Sequence, residues 1–193
     1  MTPLVGPVSN ARPNPWLSQV EELKAVIQEW APDVARAAES AGLTWVGDGK
    51  ALLGAAAENE SAFGANASPR FEPSYYYGSP RYQKSPELRA AIARHGALAA
   101  CSWGPWQIMA MNALRLGYSL DEPLHDLWYA STSAPLVVAL AEEILTKQRP
   151  KTPEDFGDAW NSGRFGDAIP PPVAKYRADF ARRFRDVVTR RGL

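Results

Sequence analysis

Cysteine is almost missing from this chain: Cys101 stands alone among 193 residues, so no disulfide can close within it. A catalytic cysteine would need a histidine beside it in space, and only His95 and His125 exist. Cys101 in Leu98-Ala99-Ala100-Cys101 therefore reads as a small apolar core residue. Two histidines so far apart show no metal-ligand spacing, and phosphate-cradling glycine loops are absent. Neither a metal nor another cofactor is expected. No run approaches the ~20 apolar residues of a membrane helix. The start, Met1-Thr2-Pro3-Leu4-Val5-Gly6-Pro7, lacks the basic segment and apolar core of a secretory leader. The expectation is a chain made in the cytoplasm, delivered by other means if its target lies outside. Excess charge is lacking too: Lys+Arg and Asp+Glu are both 21, which gives no whole-molecule attraction to nucleic acid or anionic lipid.

What is present is a helix-rich pattern. Residues 1–15 hold four prolines and read as an extended lead-in. Leu17, Val20, Leu23, Val26, Ile27 and Trp30 recur at helical spacing, predicting a helix from Trp16 to Ala41 that Pro32 breaks or kinks. Residues 16–45 form an N-terminal helical extension in this reading, and 46–193 the main domain. A second helix opens at Asp48-Gly49-Lys50 and runs to Glu60. Residues 64–86 form a long loop with Tyr75-Tyr76-Tyr77 at its centre; loops of that length are commonly functional or disordered, and aromatic richness argues against disorder. Further helices are predicted at 86–95, 105–116, 121–130, 133–148, 153–161 and 171–190, with no period-2 strand pattern of useful length. Arginines crowd the last helix from Arg177 to Arg191, a pattern usually seen on a solvated helix face.

Glu60 is the carboxyl best placed for acid–base work. At about 100° per residue, Leu53, Ala56 and Glu60 share one side of their helix, so the carboxylate continues an apolar face. Burial there would hold it neutral, ready to give up a proton. Glu58 points the opposite way, so one of the two should face a cleft and the other solvent. Periodicity alone favours a solvated helix-end glutamate at position 60.

Glu60-Ser61-Ala62-Phe63 resembles the E-S-x-F signature of the soluble lytic transglycosylases, where that glutamate ends a helix in the cleft. Ser102-Trp103-Gly104-Pro105-Trp106-Gln107-Ile108-Met109 resembles their second signature, G-L-M-Q-x-M, at Gly104, Gln107 and Met109; Pro105 and Trp106 depart from it. Trp160-Asn161-Ser162-Gly163 resembles Y-N-A-G with Trp for Tyr, and Tyr176 matches a tyrosine of the closing helix. The order is the family's, over roughly residues 48–184.

That resemblance implies a mainly α, lysozyme-like domain with a substrate cleft, Glu60 beside it and the 64–86 loop in its wall. It implies cleavage of the MurNAc–GlcNAc β-1,4 bond of peptidoglycan to 1,6-anhydro-MurNAc, with Glu60 as the acid/base. Gln107 and Asn161 would hydrogen-bond the sugars, and Gly104 would let backbone approach the glycan. Tyr176 would donate to Glu60 and orient it. Ser102, Met109, Tyr75 and Trp103 complete the expected substrate-binding set, the aromatics by stacking or, equally well, as core.

A second resemblance is to a phage-type N-acetylmuramidase family, through Phe71-Glu72-Pro73 followed by Ser102-Trp103-Gly104 and Gln107-Ile108-Met109. It implies hydrolysis, with Glu72 or Asp121 as second carboxylate. A glycan-binding or virion structural module with an idle glutamate is a third possibility. The partner expected in each case is the peptidoglycan glycan strand, met by a monomer with no nucleic acid and no membrane insertion, after phage-type release, as a virion part or through a secretion machine.

Overall fold

The computed structural model describes residues 15–77, 85–163 and 171–193. The proline-rich lead-in (1–14), the stretch 78–84 of the tyrosine loop and residues 164–170 lie outside them. The described chain is mainly helical, as its periodicity predicts. Helix α1 (Pro15–Ser40) buries Leu23, Val26, Ile27, Ala31, Val34 and Ala38, the three- and four-residue spacing of one helical face. It runs on through Pro32 without a break. That proline lies on the exposed face, so the carbonyl it leaves without an intrahelical donor, that of the exposed Gln28, can turn to water. The helix packs on the helices Lys50–Ser61 and Ala130–Glu143 and shares their core.

Helix α2 (Lys50–Ser61) is the centre of the molecule. Its Leu52–Ala57 segment is buried on every side, and the small residues let neighbours approach closely. Gly54 shows how closely: a Cβ there would lie 2.7 Å from Leu193 Cδ1. The helix stops abruptly after Ser61, because Ala62 (φ 53°) and Phe63 (φ 60°) both take left-handed conformations. The Ser61 hydroxyl stabilises this stop by donating to the Pro105 carbonyl at 2.6 Å and accepting from the Gly64 N–H at 2.8 Å.

Very short strands, of two or three residues and too brief to show alternation, form a small sheet that the sequence reading lacks. Strands β1 (Arg70–Phe71), β2 (Cys101–Trp103) and β3 (Ile108–Met109) pair antiparallel in that order. In the tyrosine loop, β1 precedes the single-turn helix α3 (Pro73–Tyr76). Helix α4 (Pro86–His95) has Ser85 as its cap, accepting from Leu88 N–H at 3.2 Å, and leads to a 3-10 turn at Gly96–Ala100. The predicted 105–116 helix is a turn, β3 and then α5 (Ala110–Arg115). The predicted 121–130 helix is a 3-10 turn at Leu124–Trp128. Helix α6 (Ala130–Glu143) continues into a π turn, Ile144–Gln148. Helix α7 (Pro153–Ser162) starts at Pro153 with Thr152 capping Asp155 N–H at 3.2 Å. Helix α8 (Pro171–Arg191) packs on α2 and α7.

Candidate active site

The sheet, α2, α6 and α7 enclose a groove of about 730 Å³. It is lined by Glu60 from α2, Arg70 and Glu72 at β1, Tyr75, Ser102, Trp106, Gln107, Ile108, Met109, Asn112, Leu140, Trp160 and Asn161. Sheet register explains part of this wall. Arg70 pairs with Ser102 and Ser102 with Met109, so these three stand in one cross-strand row. The groove continues past Tyr75, Asn112, Leu140, Trp160 and Asn161 into a second section of about 780 Å³, bounded by Arg115, Glu143, Gln148 and Gly163.

Glu60 sits at the last turn of α2, where the helix stop turns the chain away and leaves the carboxyl at the groove. Burial raises its pKa, and the nearby Glu72 charge adds to that. The Tyr176 hydrogen bond, the Arg70 charge and the neighbouring Trp160 indole pull the other way. Burial prevails and the carboxyl is held above its ordinary range. Tyr176 donates to Glu60 Oε1 at 2.5 Å, the contact that the family resemblance implies. The phenol is raised well above its usual pKa, first by burial and then by Glu60. It therefore stays a donor at any working pH.

Other expected residues divide into two groups. Tyr75, Ser102, Gln107, Met109, Asn161 and Glu72 line the groove. Ser102 and Gln107 also hold the wall together: Ser102 Oγ donates to Gln107 Oε1 at 2.7 Å, and Gln107 Nε2 donates to the Gly104 and Ser68 carbonyls at 3.0 and 3.3 Å. Gln107 itself is in a left-handed conformation, φ 47°. Glu72 accepts from Arg70 Nε at 2.6 Å.

Gly104, Trp103 and Asp121 belong to the second group. Gly104 is needed for protein packing, since φ is +72° and a Cβ would lie 2.3 Å from the Leu127 carbonyl oxygen; the close approach is to backbone of this chain. Trp103 is buried in the core with its indole donating to the Leu98 carbonyl at 3.3 Å. Asp121 does not line the groove; its side chain is 90% exposed and faces Arg94 at 3.5 Å. Phe63 is likewise core, with Arg191 over its ring at 5.0 Å.

Glu58 and the arginine-rich helix also depart from the sequence reading. Glu58 is buried and ion-paired with both Arg190 (3.0 Å) and Arg191 (2.6 Å). Arg177 and Arg185 pair with Asp155 and Glu154 on α7. These arginines bind α8 to its neighbours; they are not a bare solvated face. Arg70, Trp160, Asn59 and Arg183 surround Glu60 and Tyr176, a placement that the sequence does not announce. The i, i+7 spacing of Tyr176 and Arg183, which puts both on one helix face, is the available signal for Arg183.

No helix among the described residues is long and apolar enough to cross a membrane. No match is found among curated proteins or among solved structures. The profile of the N-acetylmuramidase family matches residues 36–151, a span that contains Glu60, Glu72, the whole sheet and most of the groove, and ends before Trp160 and Tyr176. Matched over more than half of its length, with an acid-bearing groove inside the match, the chain belongs to the N-acetylmuramidase family, enzymes that cleave the glycan of peptidoglycan.

Proposed function

We propose that the protein is a lytic transglycosylase that cuts the MurNAc–GlcNAc β-1,4 bond, with Glu60 as its acid and then its base. The observation that carries this reading is the unequal treatment of the two carboxyls in the wall around Glu60. Glu60 is kept above its ordinary pKa, while Glu72 is taken up by the Arg70 guanidinium. One proton-bearing carboxyl is what the reaction requires. Glu60 gives its proton to the leaving glycosidic oxygen as the anomeric C–O bond breaks. The resulting carboxylate takes the proton of the muramyl C6 hydroxyl, whose oxygen bonds to the anomeric carbon and closes a 1,6-anhydro ring. The nucleophile belongs to the same sugar, so proximity replaces a second protein group.

A hydrolytic outcome is the second reading, and one observation favours it. Glu72 lines the same wall and its charge is felt by Glu60, the relation expected of a carboxylate that activates water across the scissile bond. Mass spectrometry of products from purified peptidoglycan separates the two: anhydro-muramyl ends are expected, and exclusively reducing ends would reject the transglycosylase. Glu72→Gln should then leave turnover within a few-fold, whereas a hydrolase would lose its base. A non-catalytic glycan-binding module is tested by Glu60→Gln, which should lower the rate by ~10²–10⁴-fold while glycan binding persists.

The proposed working form is a monomer. The proposed place of action is the wall layer, reached as a phage-type endolysin, a virion-associated lysin or the cargo of a secretion machine.

A further inference from the structure

Behind the acid, polar side chains form a single file with a fixed direction. Arg183 of α8 donates to Asn59 Oδ1 and, at 3.1 Å, to the Glu58 carbonyl. A guanidinium carries donors only, so the amide atom turned toward it must be the oxygen. The amide nitrogen of Asn59 is then the atom left to face Tyr176, and Asn59 acts on the phenol in the direction of a donor, lowering its pKa against burial and Glu60. A phenol has one proton. With an N–H donating into its oxygen, that proton is directed to Glu60 Oε1, 2.5 Å away.

We propose that Asn59 and Arg183 are positioning residues for the general acid, setting the polarity of the chain Arg183→Asn59→Tyr176→Glu60. The consequence is local to the reacting group. Oε1 of Glu60 is always an acceptor, so the acid's own proton resides on Oε2. The charged and titratable groups facing Glu60 are Tyr176 from α8 and Arg70 and Glu72 from the sheet side, with the Trp160 indole from α7; Tyr176 is faced by Asn59 and Arg183. Asn59 and Arg183 act on Glu60 through the phenol. The inference rests on Glu60 being the acid/base.

Asn59→Asp is the discriminating variant. It is nearly isosteric and keeps an acceptor for Arg183, but it has no donor, so it draws the Tyr176 proton away from Glu60. Two quantities are read on the full chain: the Glu60 ionisation midpoint, by NMR of 13C-labelled glutamate carboxyls, and the pH profile of kcat/KM on purified peptidoglycan. Losing a hydrogen bond to a charged acceptor should raise the midpoint by about one pH unit and lower the rate about tenfold. In a Tyr176→Phe background the same substitution should lose most of that effect. Arg183→Met, which removes the head of the file, should move the midpoint in the same direction and serves if Asn59→Asp melts below the assay temperature. An unmoved midpoint in a folded variant, or an equal shift without the phenol, overturns the positioning role. A fully active Glu60→Gln enzyme would overturn the acid reading instead, whatever the midpoint does.

Discussion

Glu58 meets Arg191 at 2.6 Å, two residues before Glu60 along α2, and so fastens the last turn of α8 beside that helix. Arg190 completes the clamp from the preceding position. Burial alone would raise the Glu58 carboxyl, but the hydrogen bonds and charges of the two arginines outweigh it and hold the group below its ordinary range. A carboxyl lowered on folding contributes stability above its unfolded pKa and loses it as pH falls through the folded value. Glu58→Gln should therefore cost about 2 kcal/mol at neutral pH, a value reduced for the partial exposure of both arginines. Thermal melts should show a fall of roughly 4–8 °C at pH 7 and a difference that shrinks toward pH 3. An unchanged melting temperature at pH 7 would refute the clamp.

The Glu60 carboxyl has the opposite sign. Its folded pKa is raised, so relative to the unfolded chain stability declines as pH rises from the ordinary carboxylate range through the folded midpoint. Glu60→Gln should melt at or above the wild-type temperature at neutral and alkaline pH, with no advantage at pH 3, while its wall-degrading rate collapses. Wild-type activity should fall as pH climbs past the same midpoint, because the acid must hold its proton. Melting curves and turbidity assays across one buffer series check both halves together.

Gly104→Ala is expected to be among the most destabilising single changes. The added Cβ meets a backbone oxygen at 2.3 Å, and the left-handed φ of +72° disfavours any side chain. A loss of at least about 3 kcal/mol is expected, enough to lower soluble yield or melting temperature sharply. Should the variant retain its stability and lose only glycan binding, the glycine would be a substrate-approach residue after all.

Tyr75 and Trp103 should separate binding from packing. Tyr75 borders both sections of the groove, so Tyr75→Ala should raise KM about tenfold through lost ring stacking, with a small effect on melting. Trp103→Leu should cost about 2–4 kcal/mol as a core truncation and leave KM nearly unchanged. Kinetics and calorimetry on the pair would expose a reversed assignment.

Long, periodic helices are legible from residues alone: α1, α4, α7 and α8 lie within a residue or two of their predicted spans, because each buries one stripe of its surface. The stretch after Ser102 is not. Gln107-Ile108-Met109 continues the helical spacing of residues 110–115, yet Gln107 takes a left-handed turn that only the Ser102, Gly104 and Ser68 bonds make worthwhile. Glu60 can be found by its motif, but periodicity favours a solvated side chain. The reason is that its burial comes in part from Tyr176, 116 residues later, and no local window contains that partner. Glu58 and the arginines escape detection for the same cause: both halves of the clamp are charged, and sequence pattern assigns charge to water unless the partner is known.

The long-range docking of α8 onto α2 has a consequence for the order of events during folding. Contacts that join positions more than a hundred residues apart form only after large loops have closed. Until they form, the carboxylate at position 60 is a hydrated anion like any other on a fraying helix end. The raised carboxyl is thus acquired late, as a property of the finished tertiary structure, and under the proposed reading an incompletely assembled molecule lacks its proton donor.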